Sequence, residues 1–328
     1  MPSPAPAVLI VTWLGGPLLA RCLASLQAQT LAPAELLVVL SRPRPELAPR
    51  GVRTLILERP SGFAVAANAG LRALGGRDTV LLNDDTVAEP GFLAALAQAR
   101  QRQGEGLYQP RILLADGSGR LDNAGHGLFP DGFNLARGRG RVEAVAGPVP
   151  PTAGAFSGAA VLLTAQVLAR VGHFDEDLEA FGEDVDLSLR AVRQGYRIHT
   201  VPEARIAHVL GASYGRADAR KVFLVERNRL RAAARSLPAS ALLSMPLWTA
   251  ARLVGLAAAA AAGQGIGAGV GLPGVAATLA GTAAGLAALP DALRKRRSDR
   301  PAWSLGEAGM WRHVLDHRVR RADLLGRA

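Results

Sequence analysis

The residues with the clearest claim on chemistry are two adjacent carboxylates, Asp84 and Asp85, at the end of the stretch Thr-Val-Leu-Leu-Asn-Asp-Asp-Thr over residues 79–86. Three apolar residues followed by an acidic pair read as a buried strand that delivers its charges at its C-terminal edge. Open α/β sheets bind their ligands at that edge. The amide of Asn83 and the hydroxyl of Thr86 stand beside the pair. Hard cations take such oxygen ligands, and Mg²⁺ is typically shared between one or two carboxylates and substrate phosphates. On its own the motif reads equally well as an acidic strand-to-helix turn, with Glu89-Pro90 opening a helix over 92–101.

A second acidic cluster, Glu183-Asp184-Val185-Asp186, leads into a helix over 187–194 that stops at Gly195. Carboxylates there complement the helix macrodipole. However, Leu187, Leu189 and Val192 make one side apolar, so the acidic end points inward. Asp186 abuts the helix and suits a cap or first-turn role. Glu183 is the longer side chain, one residue further out in the loop. Asp184 lies between them on a short stem, and its acidic neighbours would raise its proton affinity, as suits a base. His208 follows a strand over 196–201 and reads either as a structural imidazole or as a nitrogen ligand.

Apolar strands at 8–12, 36–40, 53–57 and 79–82 must position these groups. Helices lie between them: one opened by Pro17 with Leu19, Leu23 and Leu26 on a face, another over 64–74 ending at Gly75-Gly76. Alternating strands and helices predict an α/β, doubly wound, mostly parallel sheet. From 105 to 147 turn signals dominate, and Arg137-Gly138-Arg139-Gly140-Arg141 reads as a solvated loop or, functionally, as a lid or phosphate contact. A small-residue turn and apolar strand (154–164) and a short helix (167–171) follow.

The 328-residue chain is long enough for one large domain or two. Cys22 is the sole cysteine and sits among leucines, which excludes a disulfide framework and a Cys-based metal site and predicts an intracellular core residue. The N-terminus has no basic region or apolar run, so no secretory signal is expected. The net charge of +11 invites comparison with nucleic-acid binders, but all the basic residues except Lys221 and Lys295 are Arg, and no basic-aromatic interleaving is present. No nucleic-acid partner is expected. Residues 211–235 read as an amphipathic basic helical segment. Beyond Pro238 the chain turns to Ala, Leu and Gly, with 24 uncharged residues over 266–289 and Arg294-Lys295-Arg296-Arg297 soon after. That run is long enough to span a bilayer but weak in strongly inserting residues, and Arg252 interrupts the apolar run before it. Helices lying on or dipping into an anionic membrane face are expected, with a packed helical domain as the alternative.

Taken in order, these pieces resemble the family 2 glycosyltransferases of GT-A fold, and among them the rhamnosyltransferase-like bacterial enzymes of cell-wall and polysaccharide assembly. The resemblance runs from about Val8 to Arg231. It is carried by Ile10-Val11-Thr12-Trp13, Ser25-Leu26-Gln27-Ala28-Gln29-Thr30, Gly62-Phe63-Ala64, Asn68-Ala69-Gly70 and Leu81-Leu82-Asn83-Asp84-Asp85-Thr86. It continues through Ser157-Gly158-Ala159-Ala160, Gly172-His173-Phe174-Asp175-Glu176, Glu183-Asp184-Val185-Asp186-Leu187 and Arg227-Asn228-Arg229. It implies a GT-A-like catalytic domain over residues 1–235 and a helical, membrane-associated region over 236–328.

The same resemblance makes Asn83-Asp84-Asp85 the Asp-x-Asp-type motif, with Asp85 the metal ligand for Mg²⁺ or Mn²⁺ and His208 a second ligand. Thr12, Trp13, Gly62, Asn83 and Asp84 would line the donor, a nucleotide-diphospho-sugar. Asp184 would be the catalytic base, and Glu183 is placed to bind hydroxyls of a glycan or lipid-linked acceptor at the cytoplasmic membrane face. An inverting transfer needs one carboxylate to take the acceptor proton and a cation on the leaving diphosphate. The sequence departs from the family after the second strand, where Leu40-Ser41-Arg42 replaces the usual Asp or Asn pair that reads the nucleotide. The processive synthases' Gln-x-x-Arg-Trp signature is absent, so one sugar per encounter is expected. Two alternatives remain: a degenerate membrane-bound scaffold without donor binding, and a nucleotidyltransferase, which would carry a basic Gly-rich loop where this chain has Trp13-Leu14-Gly15-Gly16-Pro17.

Overall fold

The computed structural model describes residues 4–145, 147–209, 218–261 and 272–319. The first residues of the basic segment over 211–235, the start of the apolar run over 266–289 and the last nine residues lie outside them.

The chain enters on β1 (Ala7–Thr12), crosses by α1 (Gly16–Gln27) to β2 (Leu36–Leu40), then runs to β3 (Arg53–Ile56), α2 (Phe63–Ala73) and β4 (Thr79–Asn83). These four strands are parallel, with Ile10 opposite Val38 on one side and Leu82 on the other. β1 is apolar and buried throughout because both faces are covered: Leu9 joins the core under α2, while Val8 and Ile10 join the core under α1. Cys22 is buried in the second of these cores, as expected.

After β4 come β5 (Thr86–Ala88), α3 (Phe92–Gln103) and β6 (Gly106–Leu114). The stretch read as irregular therefore holds a nine-residue strand. Its signal was masked by Gln109, Pro110 and Arg111, polar or imino residues in mid-strand, of which Gln109 takes the backbone N of Ser157 and Arg111 pairs with Glu143. β7 (Leu121–Asn123), β8 (His126–Leu128) and β9 (Asn134–Ala136) follow, then β10 (Ala160–Leu163), α4 (Ala165–Val171), α5 (Glu183–Arg193) and β11 (Arg197–His208). β11 is twice as long as expected, because a register irregularity between Val201 and Arg205 lets it absorb Pro202.

Among the described residues the main sheet runs β3-β2-β1-β4-β10-β6-β11-β5, with β7 on β6, and β8–β9 form a separate ribbon. β10 is antiparallel to both neighbours, β5 is antiparallel to β11, and the rest of that path is parallel. This is the mostly parallel α/β sheet expected, and it sends the C-terminal ends of β1, β4, β6 and β11 to one edge.

The chain closes with α6 (Ala219–Ser236), α7 (Ala239–Ala261), α8 (Leu272–Ala287), α9 (Leu289–Asp299) and α10 (Glu307–Asp316). α8 presses a glycine ridge on α6: a Cβ at Gly281 would come within 2.6 Å of the Phe223 carbonyl oxygen, and one at Gly285 within 2.7 Å of Leu230. α10 returns to the main sheet and buries Met310 and Val314 in its core. Arg252, inside the apolar α7, is not a surface interruption. It is buried and pairs with Asp131 (2.7 Å) and Glu226 (3.0 Å), so the charge marks the inward face of the helix.

Candidate active site

The first acidic cluster sits where β4 gives way to β5. Thr12, at the end of β1, donates its hydroxyl to Asp84 Oδ2 and accepts from Gly15 N at 2.8 Å. Thr12 is fully buried. It therefore reaches the site through Asp84 rather than by an exposed surface of its own. Burial pushes the Asp84 carboxyl up to about 6, the Thr12 hydroxyl opposing that and the Asp85 charge adding to it. Asn83 is fixed through its backbone, with N donating to Ala159 O and O accepting from Thr86 Oγ1.

β5 turns back onto β11 so that Thr86 pairs with His208, which delivers the imidazole to Asp85. Asp85 Oδ1 is buried, stands 3.2 Å from His208 Nε2 and takes no well-directed hydrogen bond. On the other side of the ring Asp122 Oδ2 lies 2.8 Å from Nδ1. Burial works against a charge on His208, but the two carboxylates outweigh it and push the imidazole up to about 9. An under-satisfied buried carboxylate oxygen facing an imidazole is a donor set that fits a divalent cation of the Mn²⁺ type. Among the described residues no group of three or more His, Cys, Asp or Glu forms a complete cage. A cation held here would need further ligands from a bound molecule, as Mg²⁺ commonly takes from phosphates.

The second cluster is joined to the first by the turn Ser157-Gly158-Ala159. Ala159 O takes Asn83 N at 3.0 Å, and Gly158 N donates to Asp184 Oδ2 at 3.0 Å. Val185 N holds the other Asp184 oxygen at 2.8 Å. Asp184 is half-buried, with both oxygens oriented by backbone N–H groups at the start of α5.

Glu183 differs from expectation. It is not in an outer loop but is the first residue of α5, because Gly182 at φ 95° makes the turn and the helix starts one turn early. Glu183 is 7% exposed with Oε2 unpartnered, and burial, then the Asp184 charge, pushes its carboxyl up to about 8. The charge of Asp184 thus raises the proton affinity of its buried neighbour. Asp186 is buried in the first turn and pairs with Arg190 (2.7 Å) and Arg235 (3.4 Å).

The turn into α5 is strained. Glu179 and Phe181 have φ of 62° and 64°, a region that non-glycine residues keep only when their surroundings hold them. Asn228 supplies that hold, its buried Nδ2 lying 2.7–3.0 Å from the carbonyls of Leu178, Ala180 and Phe181. Gly62 packs against the same turn, where a Cβ would fall 2.6 Å from Glu179 O. Its observed task is close approach. Trp13 is 41% exposed, with the Arg42 guanidinium 4.3 Å over its ring. Ser41 is turned inward, donating to Thr12 O at 2.9 Å. The departure at 40–42 thus builds an exposed cation–aromatic platform beside Thr12.

Sequence reasoning missed Asp122 and His126. Asp122 is one acid in a turn-rich stretch and gains meaning only from the pairing of β7 on β6. His126 Nε2 meets Asn123 Nδ2 at 3.0 Å while its Nδ1 is buried without a partner. Burial pulls the His126 imidazole down against the opposing charge of Asp184.

Among relatives, the chain is 30% identical over 232 residues to the O-antigen biosynthesis protein RfbC of Myxococcus xanthus, covering 64% of this chain but only 18% of that protein. It is 28% identical over 246 residues to the N-acetylglucosaminyl-diphospho-decaprenol L-rhamnosyltransferase of Mycobacterium tuberculosis, covering 64% of this chain and 77% of that protein. The fold matches a crystal structure of GalNAc-T7 with UDP, GalNAc and Mn²⁺ at a TM-score of 0.57 and 16% identity, over 70% of this chain and 48% of the other. It also matches Staphylococcus aureus TarS at 0.54 and 13% identity, over 94% and 53%. The model of the "Glycosyltransferase like family 2" matches residues 4–234, and the chain therefore belongs to that glycosyltransferase family.

Proposed function

We propose that this chain is a metal-dependent, inverting glycosyltransferase that moves one sugar from a nucleotide-diphospho-sugar to a glycan or lipid-linked acceptor in cell-wall or polysaccharide assembly. The observation that carries the reading is the joining of two acidic clusters by one turn: Ala159 O holds Asn83, which precedes Asp84 and the His208-paired Asp85, and Gly158 N holds Asp184. Asp85 and His208 would hold Mg²⁺ or Mn²⁺, which when bound neutralises the charge growing on the leaving diphosphate. Asp84, fixed by Thr12, and Trp13 with Arg42 would orient the donor. Asp184 takes the acceptor hydroxyl's proton as the new glycosidic bond forms. Glu183, neutral beside it, offers its free Oε2 to an acceptor hydroxyl. The name of the mycobacterial relative, which joins a diphospho-decaprenol to rhamnosyl transfer, favours a lipid-linked acceptor.

A thermal-shift panel of nucleotide-sugars with and without Mn²⁺ tests this. A true donor at 100 times its Kd is expected to stabilise the protein by about 2.7 kcal/mol, and only with metal. A chain with intact fold that responds to no donor would favour the degenerate scaffold suggested by Leu40-Ser41-Arg42.

Residues 1–235 would then carry the chemistry and 236–328 the attachment to the cytoplasmic membrane face. Leu243, Leu247 and Val254 of α7 and Leu272, Val275 and Leu279 of α8 are exposed, while the glycine ridge of α8 faces inward. The stretch Ala239–Ala258 is long and apolar enough to cross a bilayer. Of the basic run, helical spacing sends only Arg294 and Arg297 outward. Lys295 is bound to Asp175 and Asp177 (both 2.7 Å), and Arg296 to the Leu237 carbonyl at 2.6 Å. The membrane reading thus rests mainly on the leucines. Cutting the chain at Pro238 would strip Met310 and Val314 from the core, so substitutions are the cleaner probe. Leu243→Glu with Leu247→Glu is expected to weaken flotation with anionic liposomes by about 10²–10⁴-fold, at about 1.5–3 kcal/mol per leucine buried. Unchanged flotation of the double variant would remove this face from the contact.

A further inference from the structure

We propose that Asp122 is a positioning residue that aims the Nε2 of His208 at the cation site, and that Arg139 of the glycine–arginine loop steadies Asp122 in turn. This rests on the metal-dependent reading above.

The chain of contacts is continuous. Arg139 Nη2 lies 2.7 Å from Asp122 Oδ1, Asp122 Oδ2 lies 2.8 Å from His208 Nδ1, and His208 Nε2 lies 3.2 Å from Asp85 Oδ1. Three strands of the sheet fix it. β6 pairs Leu114 with His208 on one side and Ile112 with Asn123 on the other, which sets Asp122 across β6 from the imidazole. The carboxylate is deeply buried, 3% exposed, and a buried charge is retained only when paired. Among the described residues each of its side-chain oxygens has one partner, so the pairing divides cleanly: Oδ1 to the loop, Oδ2 to the ring.

An imidazole presents one of its two nitrogens as a lone pair, and the hydrogen bond at the other nitrogen decides which. A carboxylate at Nδ1 keeps that proton in place when a cation displaces the one on Nε2, so the freed Nε2 lone pair and Asp85 Oδ1 would face the cation together. Metal-ligating histidines are regularly held this way, and loss of the outer partner typically costs about 10–100-fold in metal affinity. Asp122 cannot itself share that cation, because it sits on the opposite nitrogen. Nor is the Arg139 contact a plain surface ion pair. Arg139 is 48% exposed, yet its Nε also reaches the Asp122 carbonyl oxygen at 3.3 Å, so one guanidinium grips both ends of the residue. The basic loop read from the sequence as solvent or lid thus has one arginine turned in on the site's support.

The test uses the full chain with Mn²⁺ and inorganic pyrophosphate, the latter standing in for a donor diphosphate, and reads bound Mn²⁺ by electron paramagnetic resonance. Nitrogen modulation of the Mn²⁺ spin echo reports whether an imidazole is bound. The wild type is expected to bind with nitrogen modulation. Asp122→Asn is expected to bind about 10–100-fold more weakly with that modulation reduced, and Arg139→Gln to lose affinity in the same direction by less. Should Asp122→Asn fail to fold, Arg139→Gln decides, since it changes a half-exposed side chain. Wild-type affinity and modulation in the variant that decides overturns the proposal. If His208→Ala weakens binding while Asp122→Asn does not, only the positioning role falls. If neither does, the metal reading falls with it.

Discussion

Asp184→Asn is expected to keep donor and metal binding and to lower turnover by about 10²–10⁴-fold. The geometry separates Asp184 from its neighbours. Asp186 is buried against Arg190 and Arg235, so its charge is already committed to holding α5. Glu183 is buried, and burial with the Asp184 charge raises its carboxyl well above the usual range, which favours its protonated form over service as a base. Asp184 alone is half-exposed, with one donor from the Gly158 turn and one from its own helix fixing both oxygens. The amide in Asp184→Asn preserves most of that shape but has no basic oxygen. Asp186→Asn should act differently, because it takes from the buried Arg190 guanidinium its carboxylate partner and from Arg235 one of its three. Losses of about 3–5 kcal/mol follow such breaks, seen as a lowered Tm with turnover retained while the protein is folded. Turnover measured with saturating donor, beside Tm for each variant, distinguishes these effects. Near-normal turnover in Asp184→Asn with a dead but folded Glu183→Gln or Asp186→Asn would move the base to another carboxylate.

The sequence displayed the parts of this site that local pattern encodes. Residues 79–86 announced a strand ending in carboxylates because Val80, Leu81 and Leu82 are apolar on both faces. The second cluster announced a helix start, although Gly182 let α5 begin at Glu183 and carried that side chain inside. Contacts set by strand pairing were not legible. His208 meets Asp85 only because β5 doubles back on β11, and Asp122 meets His208 only because β7 lies beside β6. Nothing local to Asp122 signals this. Arg252 misled in the opposite way: a lone charge in an apolar run reads as a break, while its partners Asp131 and Glu226 are 121 and 26 residues away. The strained turn at Glu179–Gly182 was equally silent, since its hold comes from Asn228, almost fifty residues on.

Asp85→Ala is expected to abolish metal-dependent donor binding. Its Oδ1 is buried and faces His208 at 3.2 Å without a good hydrogen bond, a costly position for a carboxylate that nothing else occupies. Asp84 is no substitute, because its Oδ2 already takes the Thr12 hydroxyl and burial raises its proton affinity. Removing Asp85 also removes one of the two carboxylates that hold a proton on His208, so the imidazole would lose charge and keep only Asp122. One nitrogen ligand and a diphosphate would remain for the cation. The loss in Mn²⁺ affinity should exceed the about 10–100-fold that removing an outer partner costs. Calorimetric titration of Mn²⁺ with a donor chosen from the thermal-shift panel measures it. The fold should survive, since Asp85 Oδ1 contributes no hydrogen bond and the backbone bond from Val209 N to Asp85 O is untouched by the change. A folded Asp85→Ala protein that binds metal and donor as the wild type does would show that the cation is held elsewhere.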